Sequence, residues 1–222
     1  MNVLIVHAHP EPQSFNAAMT RTAVVALESA GHAVTVSDLY GMGFDAASSR
    51  RNFAAVHDAA YLDLQAEELH ASAAGGFAPD LEAEIARLEA ADLTIFQFPL
   101  WWFGLPAILK GWVDRVFAKG RIYADREMYS RGRLKGRRGM LSLTTGGIPR
   151  SYTPEGYIGD MDAILKPIHR GIFMFVGMDV LAPQVVYGPA KVTAAERQAA
   201  LDAWAARLRA IADEAPAEIG RF

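Results

Sequence analysis

The chain has 222 residues, of which 51% are hydrophobic and 21% charged, and its formal net charge is −3. That composition describes a globular protein with ample core and gives no overall pull toward nucleic acid. It contains no cysteine, which excludes disulfides, thiolate metal sites and cysteine nucleophiles. No apolar run approaches the roughly 18 residues of a membrane span, and the N-terminus lacks a basic segment ahead of a long apolar one. A cytoplasmic protein without a membrane span is expected.

Strand-like and helix-like runs alternate along the chain. Asn2 to Val6 reads as a first strand, and a helix from about Ser14 to Ala30 stops at Gly31. A second strand covers Ala33 to Ser37. Asp38 to Arg50 is irregular, and Arg51 to Ala74 is partly helical and then loop. Pro79-Asp80 opens a helix to about Ala90. The apolar run Leu93 to Phe98 reads as a buried central strand, followed by a helix from about Pro106 to Phe117. Arg138 to Leu143 is a fourth strand, ending in Thr144-Thr145-Gly146-Gly147. A helix spans about Asp160 to Phe175, a fifth strand Val180 to Val186, and a final helix Ala194 to Asp213.

Five strands alternating with helices imply a parallel sheet covered on both faces. Right-handed crossovers leave few topologies. The strand count favours the flavodoxin-like α/β order 2-1-3-4-5 over the six-strand dinucleotide fold. With no repeat or linker in view, a single domain over residues 1–222 is expected.

In that order the carboxyl ends of strands 1, 3 and 4 are neighbours, where open α/β sheets bind ligands. The loop after strand 1, His7 to Asn16, carries no glycine-rich nucleotide fingerprint. It does run into a helix N-terminus with Ser14 and Asn16, an anion site by its free N–H groups and dipole, with His9 as an added donor. Ser14 also suits an ordinary helix cap, and the two roles are compatible. The loop after strand 3, Pro99-Leu100-Trp101-Trp102-Phe103-Gly104-Leu105-Pro106, carries three large rings. Such rings either plug the core or offer a stacking wall to a planar guest. Pro99, Gly104 and Pro106 hold the loop out of regular structure and favour the wall. In the third loop, paired Gly146 and Gly147 let the backbone approach a ligand, and Thr144 and Thr145 offer hydroxyls; a plain glycine turn is the alternative. Together the loops suit a flavin nucleotide, with its ring beside Trp102 and Phe103 and its phosphates toward Ser14, Phe15 and Asn16.

The remaining charge has simpler readings. Nine Lys and Arg between Arg115 and Arg138 read as a solvated connection, or alternatively as a phosphate-attracting rim. Asp114 and Arg115 are expected to pair with each other, and Glu82, Glu84 and Glu89 to form a solvated helix face. His7, His32, His57, His70 and His169 form no metal-ligand spacing, and no metal site is expected.

These segments resemble the NAD(P)H:quinone oxidoreductase family, the DT-diaphorase-like flavoproteins of flavodoxin fold. The matching pieces include His9 to Asn16, Ser37-Asp38-Leu39-Tyr40, Leu88 to Leu93, Phe96 to Leu100, Trp102 to Trp112, Leu141 to Gly147, and Pro167-Ile168 with Gly171-Ile172. The likeness spans about residues 1–212. It implies FAD rather than FMN, bound through His9, Phe15, Asn16, Leu100, Trp101, Trp102, Phe103, Thr144, Thr145, Gly146, Gly147 and Tyr152, with Arg197 on the adenosine half. It implies a homodimer whose partner completes each flavin site. Tyr123, Ala124, Asp125, Met128 and Tyr129 fall in the segment lining the substrate cavity across that interface.

The implied reaction is a ping-pong two-electron hydride transfer from NAD(P)H through the flavin to a quinone. Gly146, Gly147 and the Tyr152 hydroxyl would stabilise the negative charge of the reduced ring. Three departures mark this chain. Asp125 replaces a cavity tyrosine, Ile158 replaces a histidine credited with relaying charge beside Tyr152, and Trp101 stands where mammalian members carry a polar amide. Alternatives are azo- or nitro-reduction at the same site, a non-catalytic electron carrier, or a regulatory subunit.

Overall fold

The computed structural model describes residues 1–221; the expected single domain ends at residue 222, outside the described residues. Parallel strands β1 (Asn2–His7), β2 (Ala33–Asp38), β3 (Leu93–Pro99), β4 (Arg138–Thr145) and β5 (Asp179–Val180) form a sheet in the order β2-β1-β3-β4-β5, and β6 (Gln184–Tyr187) continues the same edge against β4. The expected strand order is observed. Every residue of β3 is buried, as a central strand covered on both faces requires.

Alternation along each strand sends side chains to two cores. Val3, Ile5, Ile95 and Met140 meet Met19 and Leu27 of α1 (Phe15–Ser29) and Trp204 and Leu208 of α6 (Ala194–Arg209). Leu4, Val6, Phe96 and Leu141 face the other way. There they meet α2 (Leu64–Ala74), α3 (Pro79–Ala90), α4 (Ala107–Val116) and α5 (Met161–Ile168). Ser14 caps α1, its Oγ accepting from the Ala17 N–H at 3.1 Å, and Gly31 takes the left-handed φ of 82° that ends this helix.

Three elements differ from expectation for local reasons. The fifth strand is broken: β5 and β6 both pair with β4, but their register differs by one residue. Pro183 in the break has no N–H to give a ladder. The expected helix from Asp160 to Phe175 is regular only to Ile168. Pro167 cannot donate to the preceding turn, and the chain widens into a π turn over His169–Phe173, closed by Met174 N–H donating to His169 O at 2.9 Å. That turn lays Phe173 on Gly139 of β4, where a Cβ would lie 2.6 Å from the ring. The final helix ends at Arg209, with a short 3-10 turn over Ile211–Asp213.

Charged groups depart from the sequence reading in a consistent direction: they are used inside the chain. Glu84 is not on a solvated face. It is fully buried, accepting the Trp112 indole N–H at 2.7 Å and pairing with Arg87. Glu82 and Glu89 together hold Arg121 at 3.0 and 2.6 Å. Arg115 does not pair with Asp114, which binds Lys110 at 2.5 Å. Arg115 is buried instead, donating to Asn52 Oδ1 and Asp45 O and lying over the Phe44 ring. With Arg133 on Glu127, Arg137 on Ala91 O and Arg138 on Ile211 O, the basic run is largely a set of internal braces rather than a phosphate-attracting rim. Among the described residues no helix is long and apolar enough to cross a membrane, and no three metal-ligating side chains cluster.

Candidate functional site

Strand order brings three loops together, and one buried network fixes their spacing. Gln97 of β3 donates through Nε2 to Asn16 Oδ1 at 2.8 Å, and Asn16 donates through Nδ2 to Thr144 Oγ1 at 2.8 Å. The loop bases are also stitched by backbone: Ala8 N–H donates to Gln97 O at 3.0 Å, and Leu100 N–H to Thr144 O at 2.8 Å. Asn16 therefore acts from beneath the site; its side chain is buried and bonded within the protein. Thr145 Oγ1 is likewise engaged, donating to Gly147 O at 3.0 Å.

Above this network lies a cleft of about 330 Å³ lined by His9, Ser14, Phe15, Asn16, Pro99, Thr144, Pro189, Ala190 and Arg197. Six residues singled out from sequence meet there. The Phe15 and Asn16 N–H groups open α1 and have no helical acceptor, which makes the cleft floor an anion site. Arg197 donates to Val192 O at 2.6 Å and adds positive charge at the far wall.

Beside the cleft stands the aromatic turn. Trp101 and Gly104 exchange backbone hydrogen bonds at 3.3 and 3.0 Å, closing a two-residue hairpin on Trp102 and Phe103. Both have positive φ, 50° and 59°, the sign a type I′ turn needs and one that usually selects Asn-Gly. Two aromatics held there carry strain of about 1–3 kcal/mol each. Their rings are not core: Trp101 is 42%, Trp102 96% and Phe103 57% exposed. Trp101 lies 6.3 Å from the His9 ring, joining turn to cleft. Among the described residues the Trp102 and Phe103 N–H groups find no acceptor.

Gly147, Tyr152 and Ile158 form a third group. A Cβ on Gly147 would lie 2.8 Å from Tyr152 Cε2, 3.2 Å from its hydroxyl and 3.2 Å from Ile158 Cδ1. Only glycine lets the Tyr152 ring lie this close, and among the described residues the hydroxyl makes no hydrogen bond. Ile158 is beside Tyr152, where it offers no proton.

The segment from Tyr123 to Tyr129 stands apart within one chain. Tyr123 and Tyr129 both lie edge-on to Phe175, Ala124 bridges Glu127, Asp125 pairs with Lys119 at 2.9 Å, and Met128 O accepts from Arg131. No hydrogen bond or ring pair joins them to the aromatic turn. Tyr123 lines its own cleft of about 210 Å³ with Glu68, Asp114 and Phe117. Sequence reasoning missed Glu68, which is buried with Oε2 accepting the Lys119 N–H at 2.8 Å. It also missed Gln97, although a lone amide in an apolar strand is a signal that a buried partner exists.

Residues 1–208 match the family described as Flavodoxin-like fold. The rat (Rattus norvegicus) NAD(P)H dehydrogenase [quinone] 1 is 44% identical over 214 residues, covering 96% of this chain and 78% of that one. The mouse (Mus musculus) ribosyldihydronicotinamide dehydrogenase [quinone] is 42% identical over 217 residues, covering 96% and 93%. A putative quinone reductase from Klebsiella pneumoniae superposes with a TM-score of 0.91 at 39% identity, covering 97% of this chain and 86% of that one. The fold is thus that of a doubly wound α/β protein with clefts beside the carboxyl ends of its strands. The chain belongs to the flavodoxin-like fold family, with the quinone dehydrogenases among its relatives.

Two outcomes follow from the site's construction. Replacing the strained pair by the turn's preferred residues, Trp102→Asn with Phe103→Gly, should stabilise the purified protein by roughly 1–3 kcal/mol in urea unfolding; a loss of stability would show that the rings support the core. Burial raises the Glu68 carboxyl to about 7. Its stabilising contribution is present below the unfolded range near 4.5 and is lost as pH rises through about 7. The fall in melting temperature between about pH 5 and about pH 8 should therefore shrink in Glu68→Gln. An identical fall in both proteins would contradict this.

Proposed function

We propose that this chain is an NAD(P)H:quinone oxidoreductase that carries a tightly bound flavin as a single domain. The observation that carries the reading is the exposed, strained aromatic turn set beside a cleft floored by a helix N-terminus. Free ring faces, two unpartnered turn amides and an anion site are what a flavin nucleotide needs from a protein. Support for the reaction comes from the 40–44% identical relatives named as NAD(P)H and ribosyldihydronicotinamide quinone dehydrogenases.

In this reading Trp102, Phe103, Gly146 and Gly147 hold the ring system, with Leu100 and Trp101 at its edge. Ser14, Phe15, Asn16 and His9 hold the phosphates. Arg197 stands in the same cleft and extends it for an adenosine half, which favours FAD over FMN. The flavin, when bound, supplies hydride acceptance from NAD(P)H and two-electron delivery to a quinone. The protein's part is position and charge. The Tyr152 hydroxyl, without a hydrogen-bond partner among the described residues, serves as the donor toward developing negative charge, and Ile158 leaves it without a relay. Trp102 is bare, and Tyr123, Ala124, Asp125, Met128 and Tyr129 lie on a separate face. A homodimer in which that face closes the partner's aromatic turn accounts for both facts.

Initial rates with NAD(P)H and menadione should give parallel double-reciprocal lines, since both substrates use one face in turn; intersecting lines would contradict the alternation. Tyr152→Phe should slow reduction of the bound chromophore by NAD(P)H on the order of tenfold to a hundredfold in stopped flow. An unchanged rate would remove Tyr152 from the chemistry.

A further inference from the structure

The first loop has a second side. Opposite the cleft described above, it walls a larger one of about 460 Å³, lined among others by His7, Thr20, Arg21, Val36, Asp38 and Tyr40. His9 lines both clefts. The second lies over the carboxyl ends of β1 and β2 at the sheet edge.

Its polar groups are few and convergent. His7 is 4% exposed, and its Nδ1 is 2.9 Å from Thr20 Oγ1. Its Nε2 has no hydrogen-bond partner among the described residues, yet it is not sealed from solvent as the Nε2 of His169 is. In either tautomer one hydrogen-bonding function of this buried ring opens on the cleft. Asp38 ends β2. Its Oδ1 accepts the Gly41 N–H at 3.0 Å, and a Cβ on Gly41 would lie 2.6 Å from Oδ2, so only glycine permits this carboxylate pose. Arg21 is braced by donating from Nη1 to Pro12 O at 2.9 Å, which leaves its other nitrogens free. Tyr40 is partly exposed at the rim.

In the six-strand dinucleotide-binding fold a carboxylate at the end of the second strand accepts ribose hydroxyls, and arginine is the usual partner of a phosphate; without that fold's glycine-rich loop, Asp38 and Arg21 set the same two groups beside the ends of the first two strands. We propose that this cleft binds a nucleoside phosphate, with Asp38 on the ribose, Arg21 on the phosphate, Tyr40 against the base and His7 Nε2 closing the polar floor. The ligand is either the adenosine end of NAD(P)H or a free nucleotide. The inference stands apart from the redox reading, because none of these four residues belongs to the proposed flavin site.

The test is calorimetry on the flavin-loaded protein with AMP and adenosine 2′,5′-bisphosphate. Both should bind. Arg21→Ala, Asp38→Asn and Tyr40→Ala should each weaken binding by at least about tenfold, while menadione reduction driven by dihydronicotinamide riboside, which has no adenosine, stays unchanged. If Arg21→Ala raises the KM for NADPH by a matching factor, the ligand is the donor's own adenosine end; if that KM is unchanged, it is a free nucleotide. Absence of binding at millimolar nucleotide, or binding that none of the three substitutions weakens, overturns the inference. Loss of menadione reduction in the unsubstituted protein would count against the redox reading and leave the nucleotide measurement standing.

Discussion

The Gln97–Asn16–Thr144 chain of hydrogen bonds is the constraint on which the site depends. It joins the first turn of α1 to the middle of the sheet and to the end of β4. Each such buried bond contributes only about 0.5–1.5 kcal/mol net. Its larger effect is geometric: a buried amide cannot lose one partner without leaving another unpaired, so the three elements hold one spacing. Neither the Asn16 nor the Gln97 side chain needs to touch a ligand for the cleft above to keep its shape.

On that base the chain holds a conformation that stability alone would not select. The two bonds between Trp101 and Gly104 return less than the strain of two aromatic residues at positive φ. An Asn-Gly pair would close the same turn without that strain. Trp102 and Phe103 are also largely exposed to water, so burial does not offset the difference. A turn that is costly and solvent-facing in one chain makes sense when something else covers it, and the neighbouring anion cleft points to a ring-bearing phosphate compound as that cover.

The strand order was legible in the sequence: five strand-like runs alternating with helices led to the order that the sheet shows. From that order the three loops were expected to converge, and six of the residues named for the cofactor line one cleft, whereas Leu100, Trp101, Trp102, Phe103, Thr145, Gly146, Gly147 and Tyr152 do not line it. The failures have a common cause. Periodicity reports which face of an element is apolar but not which charges find partners across elements far apart in sequence. Glu84 and Arg121 therefore look solvated in the sequence and Arg115 looks paired with its neighbour Asp114, yet all three are braces between distant segments in the fold. The break at Pro183 and the π turn after Pro167 were visible as prolines, yet their effect on register depends on β4. The cleft around His7, Asp38 and Arg21 draws on two strands and a helix, and no single motif announces it.

Whether the three loops form a slot for a flavin is read from the visible spectrum of the purified protein, followed by heat release and chromatography of any chromophore. The purified protein should be yellow and release FAD in near one-to-one amount. A colourless protein that takes up neither FAD nor FMN when each is supplied would contradict it.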